Sequence, residues 1–286
     1  ITGSNAIQKT GSGTQVFSGT NTYTGGTVLT NGNLAITNNS ALGTGNIFAN
    51  GGTLQANSSG LSLTNNVDTT AADFAVTGTT GNDLTLSGII SGANGVTKTG
   101  ANTVTLSGAN TYAGTTTISA GTLGLSGGSA IADTGAVNIT DASATLLLND
   151  SETIGSLTGT AGSVNLQSND LTFGDANDTT FAGNITGTGG ITKQGLGNVT
   201  LSGTNDFTGG VNFTSGTLTL EGGSALSDSV LLIQSSGSQL TLGADEAIGA
   251  LSGDGTVELG ANTLELAGTA STAYTGVIQG TGGLNY

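Results

Sequence analysis

The sequence lacks cysteine, proline, methionine, tryptophan and histidine, and its only cations are three lysines. Without cysteine or histidine the chain has no disulfide scaffold, no thiolate or imidazole zinc ligand and no Ser-His-Asp triad. Three basic residues against 18 acidic ones give a formal net charge of −15. Such a surface repels phosphates, which argues against nucleic-acid binding and disfavours anionic membranes.

The chain also lacks long apolar runs and large apolar residues. No stretch of 18 or more apolar residues is present, so we expect no direct membrane insertion. Hydrophobic residues make up 35% of the 286 positions, and 52 positions are glycine. This composition suits either disorder or a thin, extended fold in which each layer buries a narrow core against its neighbours. Because leucine and valine alternate at fixed offsets, the second interpretation is favoured.

An internal repeat dominates the sequence. The segment Lys98–Leu123 aligns with Lys193–Leu218, 95 residues later (193 − 98 = 95), and with Lys9–Leu34, 89 residues earlier (98 − 9 = 89). All three lysines therefore share one position in the repeat. The other shared positions are Gly19, Gly108 and Gly203; Asn21, Asn110 and Asn205; Tyr23, Tyr112 and Phe207; and Gly32, Gly121 and Gly216.

The repeat continues beyond these segments and divides the chain into modules. Ser40-Ala41-Leu42, Ser129-Ala130-Ile131 and Ser224-Ala225-Leu226 keep the same offsets, and Phe181 aligns with Tyr274. We expect three modules, residues 1–89, 90–184 and 185–277, with residues 278–286 beginning a fourth. Because both ends fall inside a module, we expect the chain to be part of a longer array.

Modules of this length suit either separate immunoglobulin-like sandwiches or several solenoid turns each. Short pairs of apolar residues separated by one polar residue recur inside every module, which favours about 20 residues per turn and an all-β solenoid. The pairs predicted to point inward include Val104/Leu106, Leu123/Leu125, Val137/Ile139, Leu146/Leu148, Val164/Leu166, Leu171/Phe173, Val199/Leu201, Leu218/Leu220, Leu231/Ile233, Leu240/Leu242, Val257/Leu259 and Leu264/Leu266.

The repeated block resembles the passenger-associated repeat of bacterial autotransporters. It has the form N-T-Y-x-G followed by G-T-L-x-L, and it reads Asn21–Gly25 with Gly32–Leu34, Asn110–Gly114 with Gly121–Leu123, and Asn205–Gly209 with Gly216–Leu218. The third copy departs from the pattern at Asp206 and Phe207, and Gln15 replaces an inward valine in the first.

The resemblance implies a right-handed parallel β-helix, here a fragment of a longer rod. It further implies type V secretion to the surface of a Gram-negative outer membrane, by a C-terminal translocator barrel that would lie outside this fragment. The absence of disulfides suits a chain that crosses a pore unfolded. The usual roles of such passengers are adhesion, self-association and biofilm formation.

Acidic clusters are the remaining candidates for chemistry. Asp170, Asp175 and Asp178 form the densest set, and Asp245 adjoins Glu246. Paired carboxylates could hydrolyse glycosides, and residues 175–178 could bind calcium. The spacing matches no EF-hand, and the enzymes of β-helix type that cleave acidic polysaccharides need a base that a chain without arginine and histidine lacks. The simpler interpretation is that these acids are solvated turn residues.

The recurrent aromatic residues and lysines admit two interpretations. Tyr23, Tyr112, Phe207, Phe181 and Tyr274 could form a line of platforms for sugars, or each ring could plug a turn or cover the edge of the core; regular recurrence favours the second. The lysines could pair with acids on neighbouring turns, although an exposed pair stabilises by only about 0–1 kcal/mol.

Thr-x-Thr runs such as Thr103/Thr105 and Thr217/Thr219 raise the hypothesis of an ice-binding ladder. Residues expected to point outward on the intervening strands interrupt that ladder and count against it. These are Asn138, Asn165, Leu232, Glu258 and Glu265.

The sequence therefore predicts an extracellular, surface-exposed adhesive or self-associating passenger segment. Its expected partners are another copy of itself, a polysaccharide or a host-cell surface. A passive spacer that presents a distal functional tip is the alternative, and a polysaccharide-acting enzyme is a remote one. No catalytic residue, cofactor or metal ligand is predicted, and no binding residue is identified.

Overall fold

A computed structural model describes all residues, 1–286, and contains β-strands and no helix. No segment is a helix long and apolar enough to cross a lipid bilayer. The chain forms two compact units, Ile1–Asp150 and Ser151–Tyr286. The boundaries of the three sequence modules stay a prediction.

The first unit contains seventeen short strands. They are β1 Ile7–Lys9, β2 Thr14–Phe17, β3 Thr27–Leu29, β4 Asn33–Ile36, β5 Ile47–Ala49, β6 Thr53–Ala56, β7 Leu61–Leu63, β8 Val67–Asp68, β9 Phe74–Gly78, β10 Leu84–Leu86, β11 Ile90–Ser91, β12 Val96–Lys98, β13 Thr103–Leu106, β14 Thr116–Ile118, β15 Gly121–Leu125, β16 Ala136–Ile139 and β17 Ala144–Leu148.

These strands form three parallel sheets. Sheet I has the order β1-β3-β5-β8-β11, sheet II has β2-β4-β6-β9-β12-β14-β16, and sheet III includes β7-β10-β13-β15-β17. Successive strands along the chain belong to different sheets, while strands about one turn apart pair side by side. The seven strands of sheet II mark seven turns.

The second unit contains eighteen strands. They are β18 Glu152–Thr153, β19 Ser156–Gly159, β20 Ser163–Asn165, β21 Leu171–Phe173, β22 Thr179–Phe181, β23 Asn184–Thr186, β24 Ile191–Lys193, β25 Asn198–Leu201, β26 Val211–Phe213, β27 Thr217–Leu220, β28 Leu231–Gln234, β29 Gln239–Leu242, β30 Glu246–Ile248, β31 Ala250–Gly253, β32 Thr256–Glu258, β33 Leu264–Leu266, β34 Val277–Gln279 and β35 Leu284–Asn285.

These strands also pair in parallel. Sheet IV has the order β18-β21-β24-β26-β28-β31, sheet V has β19-β22-β25-β27-β29-β32-β34, and the shorter ladders are β20-β23 and β30-β33-β35. The offset between paired residues runs from 17 (Gln239 to Thr256) to 23 (Val67 to Ile90). The sequence-based expectation of an all-β parallel solenoid with about 20 residues per turn is confirmed.

Stacked apolar side chains fill the interior of each turn. In sheet III, Leu84, Val104, Leu123 and Leu146 lie in register on successive strands, and each is at most 1% exposed. Since alternate residues of a strand point to opposite faces, the polar residues between them face outward. Each turn therefore buries a narrow column that is completed by the turns above and below it.

One predicted inward pair was wrong. Leu231 is half-buried and Ile233 is 44% exposed, whereas Val230, Leu232 and Gln234 point inward. Residues 230–233 are all apolar, so hydrophobicity alone permits either phase of the alternation. Gln234 decides the phase because its buried Nε2 donates to the carbonyls of Ser238 and Thr256, at 3.0 and 2.8 Å.

Candidate functional site

The lysine of the repeat points into the solenoid and bonds to carbonyl groups. Lys98 is fully buried, and its Nζ donates to the carbonyls of Thr99 and Gly100 at 2.9 and 2.8 Å. A third bond, of 3.0 Å, reaches the carbonyl of Ala120 on the next turn. All three donors of the ammonium are therefore satisfied, and the side chain ties two turns together.

Lys193 repeats this arrangement in the second unit. Its Nζ donates to the carbonyls of Gly195, Gly197 and Ser215 at 2.7 to 2.9 Å, and it lies 5.6 Å from the centre of the Phe213 ring. Lys9 is only half-buried and bonds to the carbonyls of Gly11 and Asn31. The hypothesis that the lysines pair with acids on neighbouring turns was wrong for Lys98 and Lys193, because backbone carbonyls hold each ammonium.

Burial disfavours the charged form of these lysines. It lowers the pKa of Lys98 to about 8, and the negative charge of Asp83 acts in the opposite direction. The pKa of Lys193 is likewise lowered to about 8 by burial, opposed by Asp175 and Asp178. The lysine is thus a buried, fully bonded structural element, which the sequence pattern alone did not reveal.

The repeated asparagine connects three successive turns. The Oδ1 atom of Asn110 accepts the backbone N–H of Ile90 at 2.7 Å, and its Nδ2 donates to the carbonyl of Ala130 at 2.7 Å. Each partner lies 20 residues away. Asn205 makes equivalent bonds to Ile185 and Ala225, both at 2.6 Å. The repeated Ser-Ala-Leu block therefore supplies the acceptor for the repeated asparagine.

The repeated aromatic residue is paired with a residue four positions later. The hydroxyl groups of Tyr23 and Thr27 lie 2.6 Å apart, and those of Tyr112 and Thr116 lie 2.7 Å apart. All four side chains are buried. In the third copy both partners change together, to Phe207 and Val211, which are also buried. The buried hydroxyl pair is thus either complete or absent, as expected if an unpaired buried hydroxyl is costly.

This paired change predicts a strong coupling between positions 207 and 211. Phe207→Tyr should place a hydroxyl against Val211 and cost about 1–3 kcal/mol in the free energy of unfolding, since a buried polar group loses its water without gaining a partner. The double variant Phe207→Tyr/Val211→Thr should recover most of that loss. Urea denaturation of the two single variants and the double variant forms the cycle, and simple additivity would contradict the pairing.

The acidic candidates accept backbone hydrogen bonds. Asp170 Oδ1 accepts the N–H of Gly190 at 2.7 Å, and Asp178 and Asp245 bind the N–H groups of residues 20 and 18 positions later, at 2.8 and 2.7 Å. Asp175 holds Asn177 through both carboxylate oxygens, at 2.7 and 3.0 Å. No group of three or more histidine, cysteine, aspartate or glutamate residues stands together. These acids therefore stabilise turns through backbone N–H groups.

Glu246 is the one buried member of this set. Its carboxylate accepts the N–H groups of Ala225 and Leu226 at 3.1 and 2.7 Å, and it is 3% exposed. Burial raises its pKa, and the two N–H donors act in the opposite direction. Glu246 therefore caps the Ser-Ala-Leu block, whose Ala225 carbonyl is bound by Asn205.

The aromatic residues do not form a line of exposed platforms. Tyr23, Tyr112, Phe181 and Phe207 are at most 1% exposed, so the interpretation that they belong to the core is supported. Tyr274 is half-buried, and its hydroxyl donates to the Gly255 carbonyl at 2.8 Å, with the side-chain oxygen of Gln234 at 3.1 Å as the alternative acceptor.

Corresponding residues of the first and second modules lie on different sheets. In sheet I, Ile7 stacks through Thr27, Ile47 and Val67 on Ile90, four turns and 83 residues later (90 − 7 = 83). Its counterpart in the second module is Val96, which lies on sheet II. Lys9 and Lys98 consequently belong to different sheets. No single surface carries the repeated motif, which favours a structural role for it.

The threonine ladder is more continuous than the sequence suggested. Thr180, Thr200, Thr219 and Thr241 lie in register on four successive strands of sheet V and are followed by Glu258. Most of the residues expected to interrupt it lie on other sheets, and Leu232 is buried. Thr219 donates to Asn198 at 2.9 Å and Gln239 donates to Thr241 at 3.2 Å. Of the four ladder hydroxyls, Thr219 donates within the protein, and the ladder ends after four strands at the carboxylate of Glu258.

Comparison with known families agrees with this picture. The passenger-associated transport repeat matches three times, at residues 7–36, 96–125 and 191–220. Each match begins at the strand that carries the repeated lysine and includes the asparagine, the aromatic residue and the glycine described above. No curated protein and no solved structure matches the chain.

The fold defines the class first: the chain is a repeat protein built as a parallel β-solenoid. Three segments of this solenoid match the passenger-associated transport repeat, which is consistent with a passenger region of an autotransporter. Passenger repeats of this kind imply a secreted or cell-surface protein.

Proposed function

We propose that the chain is an adhesive passenger segment on a Gram-negative outer membrane and that it associates with other copies of itself. The observation that carries the proposal is the outer surface of sheet II. Its outward residues are all uncharged in a chain of net charge −15. From β4 onward they are Asn33, Thr53, Gln55, Ala75, Thr77, Thr97, Thr117, Ala136 and Asn138.

Such a surface suits lateral contact between copies. Its seven strands extend over about 29 Å at about 4.8 Å per strand. Amide and hydroxyl side chains can donate and accept at the same time, so one surface can bond to a copy of itself. Each contact is weak, and several along one surface add through multivalency.

The net charge predicts how salt affects association. Two copies repel each other over about 30 Å at 0.01 M salt and over about 8 Å at 0.15 M. We therefore expect the chain to be monomeric at low ionic strength and to associate as salt approaches the physiological range. Sedimentation equilibrium across this range measures the change. A chain that stays monomeric at every salt concentration would instead act as a spacer.

Charge placed on sheet II tests the surface itself. The variant Thr97→Glu/Thr117→Glu puts two carboxylates on adjacent strands. When two copies associate through sheet II, the carboxylates of one copy then face those of the other. Because like charges in contact cost several kcal/mol, the association constant at 0.15 M salt should fall at least about tenfold.

Thr85→Glu/Thr105→Glu is the matched control, because it adds the same charges at paired, half-buried positions of sheet III. It should associate nearly as the unmodified chain does. Equal losses in both variants would attribute the effect to total charge and would contradict the choice of sheet II.

A further inference from the structure

A groove runs along the outer surface of sheet IV in the second unit. The residues that immediately precede β21, β24 and β26 are Asp170, Gly190 and Gly210, and Leu231 follows at the start of β28. The register of these strands places the four residues on successive turns. Two successive turns therefore have no side chain at this position, and the resulting gap is bounded by Asp170 at one end and Leu231 at the other.

The gap is a cavity of about 300 Å³ with mixed walls. Thr192, Asn212 and Ile233 occupy the adjoining column and form one side of it. Ile233 is 44% exposed, because Leu232 and Gln234 are the residues of β28 that point into the core. The cavity thus offers an apolar wall beside polar groups, the usual composition of a small-ligand site.

The polar groups of the cavity have bonding capacity left. One oxygen of Asp170 accepts the Gly190 N–H, and the other makes no hydrogen bond to the protein. The side chains of Thr192 and Asn212 also bond to no protein group. Together they present one carboxylate oxygen, one hydroxyl and one amide toward the same space.

A second cavity continues the groove along the same surface. It measures about 310 Å³, shares Leu231 with the first, and is floored by Gly249, Ala250 and Gly268. The two gaps lie about three turns apart, or roughly 14 Å at 4.8 Å per turn. Two cavities in line fit a chain of similar units better than a single small molecule.

We propose that this groove is a glycan-binding site for a neutral, hydroxyl-rich polysaccharide. A sugar hydroxyl can donate to Asp170 and exchange hydrogen bonds with Thr192 and Asn212, while the C–H face of its ring packs on Ile233. Acidic polysaccharides are repelled by the −15 charge, and the groove has no exposed cation to hold them. A second copy of the chain would bring the same negative charge against Asp170. The site is independent of the sheet II surface proposed for self-association.

Gly210 allows the cavity to be filled without disturbing the backbone. A Cβ atom built there meets only the Leu231 carbonyl, at 3.5 Å, which is an ordinary contact, whereas one at Gly190 would lie 2.6 Å from the Gly210 carbonyl. Gly210→Val should therefore fold normally and occupy the space of the sugar. Gly13→Val is the matched control, since a Cβ there meets nothing within 4 Å and the residue lies in the first unit.

Binding of soluble neutral oligosaccharides of glucose, galactose and N-acetylglucosamine is measured by saturation-transfer NMR and calorimetry at low protein concentration. We expect the unmodified chain and Gly13→Val to bind at least one of them, and Gly210→Val to bind at least about tenfold more weakly. Asp170→Asn should weaken binding moderately, because the amide oxygen still accepts the Gly190 N–H, while the free carboxylate oxygen that accepts from the sugar is replaced by an uncharged N–H donor.

Three results would overturn the site. The unmodified chain could bind no oligosaccharide, or Gly210→Val could bind as well as the unmodified chain. The chain could also bind the polycation spermidine instead of sugars and lose that binding in Asp170→Asn.

Measurements of self-association separate this proposal from the previous one. Gly210→Val should associate normally at 0.15 M salt, and Thr97→Glu/Thr117→Glu should bind the oligosaccharide normally.

Discussion

Replacing Lys98 by methionine is expected to lower the free energy of unfolding by about 3 kcal/mol or more. The half-buried carbonyls of Thr99, Gly100 and Ala120 lose the donor that they share, and no other side chain takes its place. Methionine fills a similar volume, so the loss reports the hydrogen bonds more than a cavity. Urea denaturation followed by circular dichroism measures it.

Lys9→Met is the control for this substitution. Lys9 occupies the same repeat position, but it is half-buried and its carbonyl partners are nearer to solvent. We expect a loss of less than about 1 kcal/mol, as for other exposed polar contacts. Equal losses at the two positions would mean that the carbonyl cage contributes little and that the lysine acts only through its aliphatic stem.

The same residues make stability depend on pH. In the folded chain the pKa of Lys98 and of Lys193 is about 8, whereas an unfolded lysine has its usual pKa of 10.5. Between these values the unfolded state binds more protons, so the free energy of unfolding rises as pH increases from about 8 toward 10. Above about pH 10 the raised pKa of the buried Tyr23 works in the opposite direction. The double variant Lys98→Met/Lys193→Met should remove most of the rise.

The sequence predicted the strands well because each turn repeats a strong local pattern. Alternating apolar residues identified eleven of the twelve inward pairs in phase, although Leu266 is only half-buried. The exception, residues 230–233, is the one place where four apolar residues run together. There the phase is set by Gln234, whose amide bonds to Ser238 and Thr256, and such contacts between turns are not encoded in local hydrophobicity.

The positions of the repeat on the solenoid could not be read from the sequence. Sequence alignment showed that Lys9 and Lys98 correspond, but the offset of 89 residues (98 − 9 = 89) is four turns plus part of another. Only the registers of the sheets reveal that the two lysines lie on different faces. For the same reason the continuity of the threonine ladder was underestimated, because residues that follow one another in sequence were assumed to share a surface.

The groove on sheet IV was missed for a different reason. Gly190 and Gly210 stand out in no sequence pattern, and nothing in their spacing says that they stack on successive turns beside Thr192 and Asn212. Conversely, the joint change to Phe207 and Val211 was a signal available in the sequence. Two substitutions four residues apart that both remove a hydroxyl indicate a buried contact between them.

Gly121, the repeated glycine that opens strand β15, is expected to be the position of the motif where a substitution destabilises the fold most. Gly121 has a φ of +64°, and a Cβ atom there would lie 2.4 Å from the Gly100 carbonyl and 2.7 Å from the Asn102 carbonyl. The Gly100 carbonyl is also an acceptor of the Lys98 ammonium. Gly121→Ala should therefore both strain the backbone and push apart the two turns that the lysine joins, with a loss of more than about 3 kcal/mol.

Gly127→Ala separates the two causes. Gly127 has a φ of +88°, but its Cβ atom would meet only the Ser107 carbonyl, at 3.8 Å. It should lose only the cost of the left-handed backbone, about 1–2 kcal/mol. The difference between the two variants in urea denaturation measures the contact between turns. If both lose the same amount, Gly121 is needed only for its backbone conformation, and the close packing of its turn against Gly100 contributes nothing to the stability of the repeat.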